Sequence, residues 1–402
     1  MNQSAFRPGV GLLILLTATS QIAAVIHTPS IPAMAKAFEA DPLSIQLVMT
    51  LYLIGYAVAQ LVVGSLSDAV GRRPVMLFGL ALFGVASVAC AFAPNIEILF
   101  GLRLVQAVGA CTGLVVTRAI VRDCFEASQT TRYMGYLGMA IGLMPMLSPS
   151  VGGILQSLFG WQANFLAMGV VGFGALLATS YSLSETLPDA VRRPTVPLSL
   201  LRGFRDLIVQ PSFLAYSSCM AISTAIFFVY LSAGPLVIQG DYGVTPAVYG
   251  LVAMSMPSGF IFGNFISSRV SPIIGIERGA ILGYLINLIG GGVLLMLANL
   301  PNFHLAYFIL PSVVIGFGGG FVTSCGFAGV VQGDPSVAGT ASGLSGFLQM
   351  AISALATVAV GLIGHVTLMS YTAFQLALTV LGIVIFVGLV QIDAIRKRRI
   401  SA

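Results

Sequence analysis

Arg103 is the residue whose position carries the clearest chemical meaning, because it is a cation inside a long apolar stretch. Gln106 follows three positions later, so the two side chains would share one face of a helix. An arginine inside a lipid bilayer is costly unless it faces water or the interior of a helix bundle. We therefore expect Arg103 to contact a cargo and to take part in proton coupling. The alternative is that its long side chain extends to the membrane surface.

A second polar cluster separates two apolar runs and begins at Gly64, which lets a neighbouring helix approach closely. Gly71 suits a turn that needs positive φ. Arg72 and Arg73 would hold this turn on the cytoplasmic side of a membrane. Asp68 can lie near Arg72 and near the positive N-terminal end of another helix. We predict that the cluster is a gating motif. The alternative is an ordinary basic turn between two helices.

The elements that must position these residues are long apolar segments. The mean hydropathy is +0.99 and 57% of the residues are hydrophobic, which is typical of a chain that lies mainly in lipid. The net charge of +5 is therefore no sign of nucleic-acid binding. The apolar runs predict an all-α membrane protein with twelve transmembrane helices, at about 9–30, 44–66, 75–93, 96–117, 133–157, 163–183, 212–238, 246–268, 279–298, 304–326, 340–364 and 371–391.

A long hydrophilic segment at 185–210 divides the chain into two halves. We expect an N-terminal six-helix bundle at 1–184 and a C-terminal six-helix bundle at 211–402, joined by this segment as a cytoplasmic central loop. With twelve spans both termini share one side of the membrane. Every Lys and Arg except Lys36 and Arg103 falls on that side. The asymmetry predicts that the N- and C-termini are cytoplasmic.

Other polar and aromatic residues are candidates for the lining of a central cavity. Tyr52 and Tyr56 lie one helical turn apart, and Tyr56 is too deep for the aromatic belt at a membrane surface, which favours a cavity lining. The candidate substrate-binding residues are Gln21, Tyr52, Tyr56, Arg103, Phe227, Tyr230 and Phe317.

The fifth predicted helix combines prolines with glycines. Each proline removes a backbone hydrogen bond and kinks a helix, and each glycine permits close contact with a partner helix. We predict a hinge at Pro145, Pro149, Gly152 and Gly153.

These motifs together resemble the drug:proton antiporter group of the major facilitator superfamily. The resemblance is closest to the branch of bicyclomycin and chloramphenicol resistance transporters, also called Bcr/CflA-like. It is carried by the turn at Gly64–Pro74, by Arg103 with Gln106 and Gly109, by Arg118, Arg122 and Asp123, by Pro145, Pro149, Gly152 and Gly153, by Glu185-Thr186-Leu187-Pro188, and by Gly339-Thr340-Ala341-Ser342 with Gln349. It implies two six-helix bundles and alternating access in a bacterial inner membrane.

The first helix departs from the pattern of this branch. The resemblance implies an acidic residue shortly before Pro29 and Pro32, where it would bind a proton and cationic drugs, but Val25 stands there. None of the thirteen Asp and Glu residues falls well inside a predicted helix. His27 is the nearest titratable group and could serve in coupling, since histidine changes charge near neutral pH. The alternative is a surface histidine at a helix end.

We expect a secondary active transporter that moves a drug, an antibiotic or a metabolite across the cytoplasmic membrane by proton-coupled efflux. A permanent cation without a carboxylate suits neutral or anionic cargo. An importer of a nucleoside, a sugar or a siderophore-like metal chelator is the alternative, because the sequence does not fix the direction of transport.

Other classes of protein fit the sequence less well. A membrane enzyme would need a nucleophile, a base or metal ligands that face one cavity, but the three histidines lie far apart in the chain. A channel would need a continuous ring of polar residues around a pore. We therefore expect no enzyme, no cofactor and no metal site. The expected partners are a small-molecule substrate, protons and the lipid bilayer, with no nucleic acid, and we expect a monomer.

Overall fold

The computed structural model describes residues 8–188, 192, 197–300, 302–331 and 338–401. Within this part of the chain, twelve helical segments are long and apolar enough to cross a membrane. Each coincides with one of the predicted segments, so the prediction of an all-α protein with twelve membrane spans is confirmed. Part of the predicted central loop, at 189–191 and 193–196, lies outside the described residues.

The helices follow one another along the chain with short connections. They are α1 (Val10–Val25), α2 (Ile31–Ala37), α3 (Pro42–Val70), α4 (Arg72–Ala91), α5 (Ile96–Cys124), α6 (Ala127–Phe159), α7 (Gln162–Ser182), α8 (Pro197–Ile208), α9 (Pro211–Pro235), α10 (Pro246–Val252), α11 (Ser255–Ile274), α12 (Ile276–Leu297), α13 (Leu305–Val331), α14 (Ala338–Gly361) and α15 (Leu368–Ser401). Three membrane spans are composite: α1 with α2, α9 with a π-helical turn at Leu236–Asp241, and α10 with α11.

Two predicted helix ends are wrong. The first span was predicted to end near residue 30, but a 3-10 turn at Thr28–Ser30, which includes Pro29, carries the chain into α2, near the start of which Pro32 lies, and the span continues to Ala37. Both prolines occupy the first turn of a helical segment, where no N–H is required. The polar cluster that begins at Gly64 is mostly helical, so Gly71 is the one residue between α3 and α4.

The described residues form two compact units, one within residues 1–195 together with 245–250 and the other within residues 196–244 together with 251–402. In the first unit, α5 packs against α1, α3 and α4, and α7 packs against α4. A Cβ at Gly109 of α5 would overlap the backbone of α4 near Phe83, so this contact depends on glycine. Close packing on three sides fixes the position of α5, the helix that carries Arg103.

In the second unit, α13 packs against α9, α11 and α12, and α9 also packs against α14 and α15. Glycines again bring the backbones together, since a Cβ at Gly259 or Gly263 of α11 would overlap the backbone of α13 near Phe317. The side chains of α9 are almost all buried. This unit therefore has α9 and α13 at its centre.

Candidate functional site

Arg103 lies in the first unit with its side chain fully buried. Its Nε donates to the carbonyl oxygen of Val48 at 3.3 Å, and its Nη1 donates to Gln106 Oε1 at 2.5 Å and to the carbonyl oxygen of Ala23 at 3.4 Å. The guanidinium also lies over the ring of Tyr52, 4.3 Å from its centroid. These groups replace the water that a buried cation would otherwise need. The alternative in which Arg103 extends to the membrane surface is wrong.

His27 is the second buried basic residue, and it lies in the turn after α1. Its Nε2 is 3.3 Å from Nη2 of Arg103. A guanidinium has only donors, so Nε2 must be the acceptor and the imidazole is neutral with its proton on Nδ1. The ring packs against Phe165, with 5.9 Å between the ring centroids. The structure thus places His27 beside Arg103 and not at the protein surface.

Two tyrosines of α3 join these basic groups. Tyr56 Oη lies 2.8 Å from Ser20 Oγ, and Tyr52 Oη donates to the carbonyl oxygen of Ser20 at 3.4 Å. Gln21, the neighbour of Ser20, is half-buried. We call the following set the buried cationic cluster: Ser20, His27, Tyr52, Tyr56, Arg103 and Gln106. Sequence reasoning had singled out each of these residues except Ser20.

Gln106 is held in place from its other side. Its Nε2 donates to Ser87 Oγ at 2.7 Å, and Ser87 in turn donates to the carbonyl oxygen of Phe83 at 2.6 Å. This chain orients the amide so that its oxygen faces Arg103. The arginine is thereby held by an amide, carbonyl groups and an aromatic ring, and none of these partners is a carboxylate.

The predicted gating motif forms a separate cluster at the corner between α3 and α4. Arg72 is almost fully buried, and its Nη1 lies 2.6 Å from Asp68 Oδ1 and 2.6 Å from Ser67 Oγ. Its Nε donates to Asp123 Oδ2 at 2.8 Å, which ties the corner to the end of α5. Gly71 has a φ of +118°, so the structure contains the positive-φ turn that was predicted at this glycine.

Glu185 connects the same corner to the end of α7. Its Oε1 accepts from the backbone N–H of Arg72 at 2.9 Å, and its Oε2 accepts from that of Arg73 at 3.2 Å. These are free N–H groups of the first turn of α4, where a negative charge is favourable. The Arg73 side chain donates to the carbonyl oxygens of Leu183 and Ser180, at 2.7 and 3.0 Å. The predicted close approach of a helix at Gly64 is wrong, because among the described residues a Cβ there would meet only Val115 Cγ1, at an ordinary contact distance of 3.7 Å.

The predicted hinge residues lie within α6, which continues through both Pro145 and Pro149. A Cβ at Gly152 would overlap the carbonyl oxygen of Ile26, and a Cβ at Gly153 would overlap the backbone at Pro246. The residues at this part of α6 are therefore closely packed on the first span and on the start of α10. Whether they act as a hinge stays a prediction.

Three predicted substrate-binding residues lie in the second unit. Phe227 is half-buried and lines a narrow cleft. Tyr230 is fully buried, its Oη lies 3.0 Å from Ser255 Oγ and from the carbonyl oxygen of Val252, and its ring stacks on Phe308. Phe317 packs against Phe321, with 5.4 Å between ring centroids.

Sequence reasoning missed four residues of these clusters: Ser20, Ser87, Asp123 as a partner of Arg72, and Glu185 as a cap of α4. A signal existed for Glu185, because it is an acidic residue directly after a long apolar run. The position of its partner 113 residues earlier could not be read from local sequence.

The chain has twelve apolar spans, and polar and charged side chains are buried between its helices. This combination is typical of a multi-pass membrane transporter. The chain belongs to the Major Facilitator Superfamily, whose sequence pattern matches residues 13–357.

Curated relatives place the chain near bacterial resistance transporters. It is 30% identical to the uncharacterized MFS-type transporter YdgK of Bacillus subtilis, over 91% of each chain. It is 27% identical to multidrug resistance protein D of Escherichia coli, over 84% of each chain. It is 30% identical to the chloramphenicol resistance protein of Pseudomonas aeruginosa, over 78% of this chain and 74% of that protein. The predicted resemblance is confirmed.

Solved structures share the fold. A bacterial homolog of the human lysosomal transporter Spinster superposes with a TM-score of 0.73 at 16% identity, over 96% of each chain. The nucleoside transporter NupG superposes with a TM-score of 0.76 at 12% identity, over 95% of this chain and 99% of NupG. The protein is a multi-pass transporter of small organic molecules in the cytoplasmic membrane and is not an enzyme.

Proposed function

We propose that the protein exports neutral organic compounds in exchange for protons, and that His27 binds the coupling proton. The observation that carries the proposal is the distance of 3.3 Å between His27 Nε2 and Arg103 Nη2 inside the buried cationic cluster. Relatives that are named for resistance to chloramphenicol and to multiple drugs support the outward direction.

Exchange requires that binding of the proton and binding of the cargo exclude one another. We propose that both compete for the lone pair of His27 Nε2. A proton on Nε2 would remove the acceptor and place a second positive charge beside Arg103. That lone pair accepts from Arg103 Nη2 in the structure, and a neutral cargo that displaces this donor and offers its own O–H or N–H group would compete with the proton for it. Proton and neutral donor cargo would therefore bind alternately, which is the condition for exchange.

The proposed cargo path uses the predicted substrate-binding residues of each unit. In the first unit Arg103, Tyr52, Tyr56 and Gln21 offer donors, hydroxyl groups and an amide. In the second unit Phe227 and Phe317 are half-buried and offer aromatic surface, whereas Tyr230 is fully buried in the packing of the unit. Such a mixture suits a neutral compound with both polar and apolar parts.

The proposed conformational cycle depends on the corner around Arg72. Asp68, Asp123 and Glu185 hold this corner with charged groups, which a change of state could break and remake. We propose that residues 1–184 and 211–402 act as two bundles, that both termini and the loop at 185–210 are cytoplasmic, and that the transporter works as a monomer.

The test is proton-driven transport by the purified protein in proteoliposomes. With an imposed pH gradient, the parent should accumulate chloramphenicol on the side from which protons leave, and His27→Gln should not. His304→Gln is the matched control, because His304 is exposed and belongs to neither cluster. Accumulation by His27→Gln equal to that of the parent would contradict the role of His27.

A second candidate function is the uptake of an anion together with a proton. The positive charge of the buried cationic cluster favours it, because protonated His27 and Arg103 would both attract an anion. This function includes the import of an anionic metal chelator, whereas import of a nucleoside or a sugar has no such support in the cluster. An anion that moves in the same direction as the proton gradient in the same proteoliposomes would favour the second candidate over the first.

A further inference from the structure

The second unit contains a narrow cleft between α9, α11, α12 and α13 whose lining includes one unusual polar residue, Asn287. Most of the lining is apolar, with Phe227, Met256 and Phe260 among its side chains. Phe227 and Phe260 are half-buried, whereas Met256 and Asn287 are buried. The two phenylalanines therefore mark the more open part of the cleft and Asn287 the closed part.

The amide of Asn287 is buried without partners. The residue is 2% exposed, and neither Nδ2 nor Oδ1 has a hydrogen bond to the described residues. A buried amide that makes no hydrogen bond destabilises a fold, so natural proteins rarely keep one. The exceptions call for a reason, and a ligand that pairs with the amide is one.

Two of the residues that α13 contributes to the lining, Gly316 and Gly319, have no side chains. A Cβ at Gly319 of α13 would come within 3.1 Å of Ser223 Oγ and 3.8 Å of a ring carbon of Phe260, so the glycine keeps space open there. Ser223 already donates to the carbonyl oxygen of Gly319 and pairs with Thr323, at 3.1 and 3.0 Å. Asn287 thus remains the lining group with both a donor and an acceptor unpaired.

We propose that this cleft binds the amide group of a neutral cargo. Asn287 Nδ2 would donate to the carbonyl oxygen of that amide, and Oδ1 would accept its N–H. The cleft has room for about one water molecule in this structure. The amide end of the cargo would therefore enter only as Phe227 and Phe260 move apart, and the attached aryl or alkyl part would pack on these two rings. The inference rests on the proposed function and specifies the class of cargo.

The first experiment compares two probes of the same shape, acetanilide and phenyl acetate. The ester lacks the N–H of the amide and cannot pair with Asn287 Oδ1. Binding to the purified protein in nanodiscs would be measured by ligand-observed NMR, with empty nanodiscs subtracted. The parent should prefer acetanilide by roughly tenfold, the effect of one hydrogen bond left unmade in a buried site. Asn287→Leu should bind both probes equally. Equal binding by the parent, or an amide preference kept by Asn287→Leu, would overturn the inference.

A second pair of variants tests the cleft without changing its polar group. Gly319→Ala adds a methyl group inside the cleft and should weaken acetanilide binding several-fold. Gly292→Ala is the matched control, since a Cβ at Gly292 of α12 would have no neighbour within 4 Å. Equal effects of the two substitutions would contradict the proposed site. This pair decides the question even if Asn287→Leu fails to fold.

The two proposals can fail separately. If the parent shows the amide preference but an imposed pH gradient does not drive chloramphenicol accumulation, the proposed exchange is wrong and the assignment of the cleft is kept. If the parent moves chloramphenicol but shows no amide preference, the cleft assignment alone is wrong.

Discussion

The two units contain the same helix corner built with different side chains. Gly71 joins α3 to α4 and Gly275 joins α11 to α12, with φ of +118° and +88°. In each corner the glycine N–H donates to the carbonyl oxygen of the serine four residues earlier, Ser67 at 3.2 Å and Ser271 at 2.9 Å. The backbone turn is thus made by glycine and needs no charged group.

The side chains around the two turns differ in kind. In the first, Arg72 is buried and bound to acidic residues of α3 and α5. In the second, the Ser271 hydroxyl lies 3.0 Å from Ser267 Oγ and 3.1 Å from Cys325 Sγ, and the nearby Arg269 is exposed over the ring of Phe265. Since the fold makes this turn without charges, the charges of the first corner are not needed to form the turn, which agrees with the role in the conformational cycle that we propose for them.

The largest expected effect of a single substitution is that of Arg103→Gln. It removes a buried cation with charge-assisted hydrogen bonds, so the affinity for cargo should fall by about ten- to a hundredfold. Arg103→Lys should recover only part of the affinity, because lysine lacks the planar fork of donors. Binding of radiolabelled chloramphenicol measures the effect. Arg269→Gln, at the exposed arginine of the second unit, is the control. If Arg103→Gln and Arg269→Gln weaken chloramphenicol binding equally, the buried arginine of the first unit has no special role in binding cargo.

Alanine at the two corner glycines should lower stability to different extents. Each substitution forces a side chain into a strained backbone conformation, which costs about 1–3 kcal/mol. At Gly71 the added Cβ would also lie 2.5 Å from Glu185 Oε2, whereas at Gly275 it would meet nothing within 4 Å. Gly71→Ala should therefore lower the unfolding midpoint more than Gly275→Ala does. A larger loss at Gly275 would show that the Glu185 contact has no stabilising effect.

Arg72 and Asp123 should prove coupled in a double-mutant cycle. Their side chains are 7% and 21% exposed, so solvent screens the pair only weakly. Arg72→Gln, Asp123→Asn and the double variant should give a coupling energy of about 0.5–3 kcal/mol in thermal unfolding. Asp68→Asn should change stability and transport less, because that carboxylate is 55% exposed. If the effects of the Arg72 and Asp123 substitutions on unfolding are additive, the ion pair does not contribute to stability.

The smallest expected effect concerns the caps of two helices that both begin with proline. Before Pro42, the Asp41 carboxylate accepts from the N–H of Ser44 at 2.9 Å and from its hydroxyl at 2.7 Å, and these bonds lower the Asp41 pKa. Before Pro246, the neutral Thr245 takes the same place, with the N–H of Val248 at 3.4 Å.

The lowered pKa fixes the sign of the pH dependence. The contribution of Asp41 is present above its unfolded-state pKa of about 3.9 and is lost as the pH falls through the lower, folded-state value. Asp41→Asn should thus reduce thermal stability slightly at neutral pH and not at all at the acid end. Thr245→Ala should have the same effect at every pH. A pH-independent effect of Asp41→Asn would contradict this account of the cap.

Much of the fold could be predicted because membrane spans depend on local composition. Twelve apolar runs became twelve spans, and the glycine turn at Gly71 followed from the residue type alone. Arg103 was also evident, since a cation in an apolar run needs an explanation wherever it occurs. These features require no knowledge of which helices are neighbours.

The missed contacts depend on residues far apart in sequence. A surface position at a helix end was the alternative for His27, but the chain continues as a 3-10 turn and the histidine is buried in the interior. Glu185 meets Arg72 only after α4 and α7 have packed. Asn287 looked like any polar residue in a span, because the glycines that open its cleft lie on another helix.

The measurement that tests the central claim most directly is proton release on cargo binding. Chloramphenicol would be added to the weakly buffered protein at a series of pH values from neutral to acid, with a pH indicator present, because release can occur only where His27 Nε2 carries a proton. If cargo and proton compete for His27 Nε2, the parent should release a proton as it binds, and His27→Gln should bind without release. Release by His27→Gln equal to that of the parent would show that the coupling proton lies elsewhere.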